Sequence, residues 1–236
     1  MIVMDIPSSV ARAKENISRA AAACGRSSDD IILVAATKMN NTDRVRQAIA
    51  SGISVCGENR VQEMLEKNAQ GAYEGAALHF IGHLQKNKAK QVVGLAELIH
   101  SVDSLELLAC IDKVARAKGL IQDVLLEVNI GEEASKSGFQ ARQIPEILAQ
   151  AGDFSSVMIR GLMAIPPICS SQAEILPYFQ LMEQLFVDNG AKKYDNVSMD
   201  FLSMGMSGDY ECAIACGANM IRLGSAIFGP RNYQQK

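Results

Sequence analysis

Eight short apolar runs alternate with helix-like stretches along this chain, and each pair of runs is separated by one helical pattern. The series opens with Ile31-Ile32-Leu33-Val34-Ala35-Ala36. A run that is apolar at every position suits a strand buried on both faces, as in a parallel sheet. The following runs fall at 53–56, 78–81, 98–101, 124–129, 158–163, 201–204 and 220–223. The stretches between them predict helices over 42–51, 60–69, 85–93, 104–118, 143–151, 173–189 and 210–216. Thr42 is read as the cap of the first of these. A further helix precedes the series, starting at a Ser8 or Ser9 cap and ending at Cys24-Gly25. Strict alternation implies parallel strands joined by right-handed crossovers. Eight such units in 236 residues fit one closed (β/α)8 TIM barrel, which takes roughly 250 residues. The expected organisation is α/β, a single domain over residues 1–236 with an extra N-terminal helix.

Composition supports a large core: 48% of residues are hydrophobic and 21% charged. The net charge of -3 gives no basic face for nucleic acid. Residues 1–10 lack the basic-then-apolar pattern of a signal peptide, and no run of about 18 apolar residues suggests a membrane span. The six cysteines are scattered, without a CxxC pair, and most of them read as small buried hydrophobes. Cys212 and Cys216 are four apart, a helical spacing without nearby histidines. His79, His83 and His100 have no metal-ligand spacing. The expectation is a reduced, cytoplasmic protein without a metal.

Function in such barrels collects where strands end at their C-terminal face. Reading the residues just past each run gives Lys38, Glu58-Asn59, Gly82-His83, Ser101 to Asp103, Asn129, Met163, Ser203 to Ser207, and Arg222 to Ser225. The loops after the last two strands are rich in Gly and Ser: Ser203-Met204-Gly205-Met206-Ser207-Gly208-Asp209 and Gly224-Ser225. That is where such barrels bind phosphate. Ser207 is expected to help start the next helix, whose N–H groups favour an anion. Lys38 directly follows the first strand. Partial burial would lower its amine pKa and free it to form a Schiff base; the plainer alternative is a lysine snorkelling at the strand end or paired with Glu58. Arg222, alone in an apolar strand, either contacts a ligand or pairs with an acid such as Glu58 or Asp200. Asn59 either hydrogen-bonds a ligand oxygen or caps a turn. His83 either lines the mouth or is a plain loop residue. Lys86, Lys88 and Lys90 read as a solvated face.

Four blocks resemble the pyridoxal phosphate homeostasis family. They are Val34-Ala35-Ala36-Thr37-Lys38, Gly57-Glu58-Asn59-Arg60-Val61-Gln62-Glu63, His79 through Lys88, and Ser203 through Glu211 together with Arg222 through Arg231. The resemblance runs from Ile31 to Tyr233. It departs where Met39-Asn40-Asn41 follows the lysine in place of a nearby proline, and at Leu78, where a Trp commonly stands. The resemblance implies a barrel like the N-terminal domain of alanine racemase, binding pyridoxal 5'-phosphate as a Schiff base on Lys38. It puts Ser207, Gly224 and Ser225 at the phosphate, Arg222 at the pyridine nitrogen and Asn59 near the phenolic oxygen. Ser203, Met206 and His83 are expected around the same ligand.

An arginine keeps its own proton, so the ring is a weaker electron sink than beside an acid. The resemblance therefore implies a non-catalytic carrier in vitamin B6 homeostasis, storing the cofactor or delivering it to apo-enzymes, without catalytic residues. Racemases of this class add a second β domain carrying a tyrosine base, and no such domain is expected here. Efficient racemisation is thus not expected, and a monomer is. The rivals are a low-activity amino acid racemase and a Schiff-base lyase of the aldolase type.

Overall fold

In the computed structural model, which describes residues 5–133 and 135–230, the first and last apolar runs lie side by side. They form β1 (Ile32–Ala36) and β8 (Met220–Leu223), paired in parallel with Val34 opposite Arg222. Between them stand β2 (Val55–Glu58), β3 (Ala77–Phe80), β4 (Leu98–Val102), β5 (Gln122–Val128), β6 (Val157–Ala164) and β7 (Val197–Ser203). Each strand pairs with its sequence neighbour, and the β1–β8 ladder closes the barrel. Closure leaves no sheet edge with unpaired backbone groups.

Side chains alternate across each strand, so every strand sends one set inward and one outward. The inward set includes Val34, Ala36, Val55, Ile81, Leu98, Leu125, Met163 and Met220, which fill the lumen as a packed core. The lumen is tight at β2. A Cβ on Gly57 would come within 2.7 Å of a Val34 methyl and 2.8 Å of an Ile81 methyl. The outward set, including Ala35, Cys56, Phe80, Ile99, Val124, Leu126, Leu202 and Ile221, meets the helix layer in a second, larger cluster. Both faces of the sheet are thus dry, which is why its strands read as unbroken apolar runs.

The helix layer comprises α1 (Ile6–Ala23), α2 (Thr42–Ala50), α3 (Val61–Ala69), α4 (Ala89–Val92), α5 (Leu105–Ala117), α6 (Ile144–Ala149), α7 (Gln172–Gly190), α8 (Tyr210–Ala215) and α9 (Ser225–Phe228). The extra helix α1 packs on α2, α8 and α9, beside the seam where the barrel closes. Its cap is Asp5, whose carboxylate accepts from the Ser8 N–H at 3.1 Å, and neither Ser8 nor Ser9 fills that role. Likewise Asn41, not Thr42, caps α2. In both cases a good capping acceptor stands upstream of the hydroxyl.

Several boundaries differ from the sequence reading, and the largest shift among the strands is in β7, which begins at Val197 and not at Phe201. Ile53 does not start β2, because its N–H closes the end of α2 on the Ala48 carbonyl. Residues 85–93 do not make one helix: a 3-10 turn at Lys86–Lys88 leads into the single turn of α4. Gly94, at φ 77°, then reverses the chain. The short helix α9 after β8 was not expected.

Close backbone contact fixes one loop at the mouth. A Cβ on Gly82 would lie 2.1 Å from the Asn59 carbonyl oxygen. Gly82→Ala is therefore expected to destabilise the protein by about 1–3 kcal/mol, read as a lower urea midpoint with an unchanged m-value.

Candidate functional site

The inward parity of the strands, continued past their ends, reaches Lys38 on β1, Asn59 on β2 and Gly224 on β8. The register supports this, since Ala36 pairs with Gly57 and Val34 with Arg222. Lys38 is half-buried at the strand end. The side-chain amide oxygen of Asn59 is buried and accepts from no group among the described residues. Such an atom is costly unless something else donates to it.

Arg222 is buried in the lumen, at 5% exposure. One terminal nitrogen donates to the Ser203 carbonyl at 2.9 Å and to its hydroxyl at 2.6 Å. The other donates to the Ala164 carbonyl at 2.9 Å, across β7 on β6. Neither pairing considered from sequence forms. Glu58 belongs to Lys67 at 2.8 Å, and Asp200 to Arg160 at 2.8 Å. Burial lowers the Arg222 pKa to about 10, while the nearby Glu127 and Asp209 act to raise it. It stays charged at neutral pH.

Behind Arg222 runs a hydrogen-bonded chain that sequence reading missed. The Ser203 hydroxyl bonds His100 Nδ1 at 3.1 Å, and His100 Nε2 bonds His79 Nδ1 at 3.0 Å. Burial pushes the His79 pKa down to about 4. It holds His100 well below the usual range too, with His79 and Arg222 adding to the effect. Both imidazoles are neutral at pH 7, so one ring nitrogen donates between them and the other accepts. The signal in the sequence was parity: His79 and His100 stand at inward positions of adjacent strands. No spacing rule for metals or catalysis flags that arrangement.

Glu127, inward on β5, is the other group that sequence reading missed. Burial raises its pKa to about 7; Asp103 adds to the rise and Arg222 opposes it. His83 is exposed at the rim, with Nδ1 3.2 Å from an Asp103 carboxylate oxygen. Met206 is also at the rim, 37% exposed, and Ser225 is exposed. Of the other mouth positions, Met163 fills the lumen. The Asn129 amide ties its own loop through the Glu133 carbonyl at 2.9 Å.

The two Gly/Ser loops meet directly. The Ser207 hydroxyl accepts from the N–H groups of Gly224 and Ala226, each at 3.3 Å. It does not cap α8, as sequence suggested; Asp209 precedes that helix, and its carboxylate accepts from the Met206 N–H at 2.5 Å. Gly205 sits at φ 92°, and a Cβ there would come within 2.6 Å of the Ala213 Cβ. Two backbone N–H groups therefore converge on a neutral hydroxyl at long distance, an arrangement an anion could take over. Among the described residues no group of three or more His, Cys, Asp or Glu is disposed to hold a metal ion, and no helix is long and apolar enough to cross a membrane.

A barrel of eight parallel strands with a lysine after β1 and a Gly/Ser cradle after β7 and β8 matches a known class. The family model described as "Alanine racemase, N-terminal domain" covers residues 9–232, so the chain belongs to that family of barrels. Within it, the chain is a member of the pyridoxal phosphate homeostasis proteins. It is 38% identical to the protein of that name from Aquifex aeolicus, covering 95% of this chain and 97% of that one. It is 36% identical to the Escherichia coli (strain K12) protein of that name, over 98% and 99% of the two chains. The solved structure of PipY from Synechococcus elongatus PCC7942 without PLP superposes with a TM-score of 0.85 at 30% identity, covering 95% of this chain and all of that one. PipY with PLP bound gives 0.78 at 31% identity, over 90% and 100%. A diaminopimelate decarboxylase from Helicobacter pylori, 16% identical, shares the fold, with a TM-score of 0.71 over 94% of this chain and 62% of that one.

The mouth has opposing proton linkages. The folded pKa of Glu127 lies above its ordinary value of 4.5, so its contribution is full below pH 4.5 and lost as pH rises through about 7. The folded pKa of His79 lies below 6.5, so its contribution is full above pH 6.5 and lost as pH falls through about 4. Glu127→Gln removes only the first. The stability difference, variant minus parent, is expected to grow by on the order of 1–2 kcal/mol from pH 5 to pH 8, measured by urea unfolding at both pH values.

Proposed function

We propose that this chain binds pyridoxal 5'-phosphate through a Schiff base to Lys38 and serves as a carrier that stores or delivers it. The observation that carries the reading is the meeting, at one barrel mouth, of three features. These are the lysine after β1, a buried Asn59 oxygen without a donor among the described residues, and the N–H groups of Gly224 and Ala226 held at 3.3 Å by the Ser207 hydroxyl. Relatives named for pyridoxal phosphate homeostasis, and a PipY structure with PLP bound, support it.

The residues fit such a ligand by chemistry. Ser207, Ser225 and the N–H groups of Gly224 and Ala226 would hold the phosphate, since backbone N–H groups converge there with glycines that allow close approach. Asn59 would take the phenolic hydroxyl on its open oxygen. Arg222, locked by Ser203 and Ala164, would face the ring nitrogen as a donor that keeps its own proton. Met206 and His83 would close the rim, with His83 fixed by Asp103. When bound, the cofactor would supply an aldehyde carbon to which the Lys38 amine can be joined with loss of water.

The remaining residues bind and orient. The charge of Arg222 is already spent on the Ser203 and Ala164 oxygens, so it adds little pull on electrons in the ring. His79 and His100 are neutral and face each other, so no imidazolium acid is offered. Those features favour holding over turnover, in a monomeric cytoplasmic protein that hands its ligand to apo-enzymes. One observation favours the rival reading of weak racemase or lyase activity: Glu127 at the mouth titrates near neutrality, as an acid–base group would.

The test is borohydride reduction of the protein loaded with pyridoxal phosphate, followed by peptide mapping. The adduct is expected on Lys38 and is expected to disappear in Lys38→Ala. The same adduct in Lys38→Ala would overturn the assignment. Turnover of D- or L-alanine at ordinary enzyme rates, about 1 to 1,000 per second, would overturn the carrier reading.

A further inference from the structure

One buried polar network grips the backbone on both sides of Lys38, and the ligand-binding reading makes no use of it. Glu58 ends β2 at an outward position and is fully buried. Its Oε2 accepts from the Thr37 hydroxyl at 2.9 Å, the Lys67 ammonium at 2.8 Å and the Tyr73 hydroxyl at 3.2 Å. Its Oε1 accepts from the Asn59 N–H at 3.0 Å. Lys67 lies on α3 and is 6% exposed. An ammonium has three protons to donate, and here it meets three acceptors. They are the Thr37 carbonyl at 2.7 Å, Glu58 Oε2 at 2.8 Å and Glu63 Oε1 at 2.7 Å.

The same Glu63 oxygen accepts from the Met39 N–H at 2.6 Å. Thus the peptide carbonyl before Lys38 and the peptide N–H after it are tied to one ammonium and its carboxylates. The tie is needed there. Met39 has φ 60°, in the left-handed region that costs a residue with a Cβ roughly 1–2 kcal/mol. With the Lys67 bond to Thr37 on one side and the Glu63 bond to Met39 on the other, the chain leaves β1 along one path. Lys38 lies between these anchors.

Buried ion pairs seldom add stability, because desolvation offsets the attraction. A network of this cost directly behind one residue is better explained by what it positions. We propose that Lys67, acting with Glu58 and Glu63, is a positioning residue for Lys38: it presets the backbone at residues 37–39 so that the Lys38 amine is aimed at the mouth before any ligand arrives. This rests on Lys38 being the anchoring lysine. Lys67 itself makes no bond to the ligand, since its three protons are engaged below the mouth. Preorganisation of this kind speeds bond formation at the lysine and leaves recognition of the ring and phosphate unaffected.

Two variants test it. Glu63→Met removes the acceptor shared by Met39 and Lys67, on a side chain already 21% exposed. Glu58→Gln combined with Lys67→Met removes both buried charges and keeps an acceptor for Thr37 and Tyr73. Each is compared with the parent in three measurements: urea unfolding, the rate at which the covalent adduct's visible absorbance appears with pyridoxal phosphate, and affinity for pyridoxine 5'-phosphate, which has the ring and phosphate but no aldehyde. The expected result is adduct formation slowed at least fivefold, with affinity for pyridoxine 5'-phosphate within twofold of the parent. If the double variant fails to fold, Glu63→Met alone decides. Slowing of less than fivefold, or an equal loss for both ligands, overturns the positioning role. A parent protein that forms no adduct on Lys38 instead overturns the cofactor reading, and this proposal with it.

Discussion

The β1–β8 ladder is the interaction on which the molecule depends. It joins the first and last strands of the series and converts an open sheet into a barrel. Without it Lys38 and the Arg222–Ser225 segment would lie at opposite edges of a sheet. With it, Val34 faces Arg222 and Ala35 faces Leu223 in register. The two loops that carry the Gly/Ser cradle then reach each other, through the Ser207 hydroxyl and the N–H groups of Gly224 and Ala226. Hydrogen bonding of backbone to backbone thus decides which side chains can share a ligand.

The second constraint is the alternation of side chains on those strands. It sorts buried charges into two compartments that do not mix. Arg222 points into the lumen and is neutralised by carbonyl dipoles, the Ser203 hydroxyl and the nearby Glu127 and Asp209. Glu58 points outward and is met by Lys67 from the helix layer. A slip of one residue in either strand would exchange these environments and leave both charges unmatched, a change expected to cost several kcal/mol. In the proposed reading the lumen compartment serves the ligand, and the outer one steadies the lysine segment beside it.

Much of the architecture was legible because it rests on local rules. Unbroken apolar runs separated by single helices have few foldings other than a parallel sheet, and eight of them in this length indicate closure. Lys38, Asn59, Arg222 and Ser207 were marked by falling at or just beyond strand ends. What could not be read were pairings set by three-dimensional register. Glu58 was offered to Lys38 or Arg222, yet Lys67 on α3 takes it, because Glu58 has outward parity. His79 and His100 showed no spacing motif, since their contact runs between strands. Ser207 was read as a cap for α8, but it bonds across to the other loop. The caps of the first two helices lie upstream of the expected hydroxyls, at Asp5 and Asn41.

By itself, then, the sequence determined the barrel, its strand order and the residues standing at its mouth, because periodicity and residue type act over a few positions. Its four blocks also carried the family. Tertiary structure alone decided the partners of each charge, the neutral state of the two lumen histidines, and the clamp that holds the backbone around Lys38. Those depend on burial and on atoms within about 3 Å of one another, and neither is a property of neighbours along the chain.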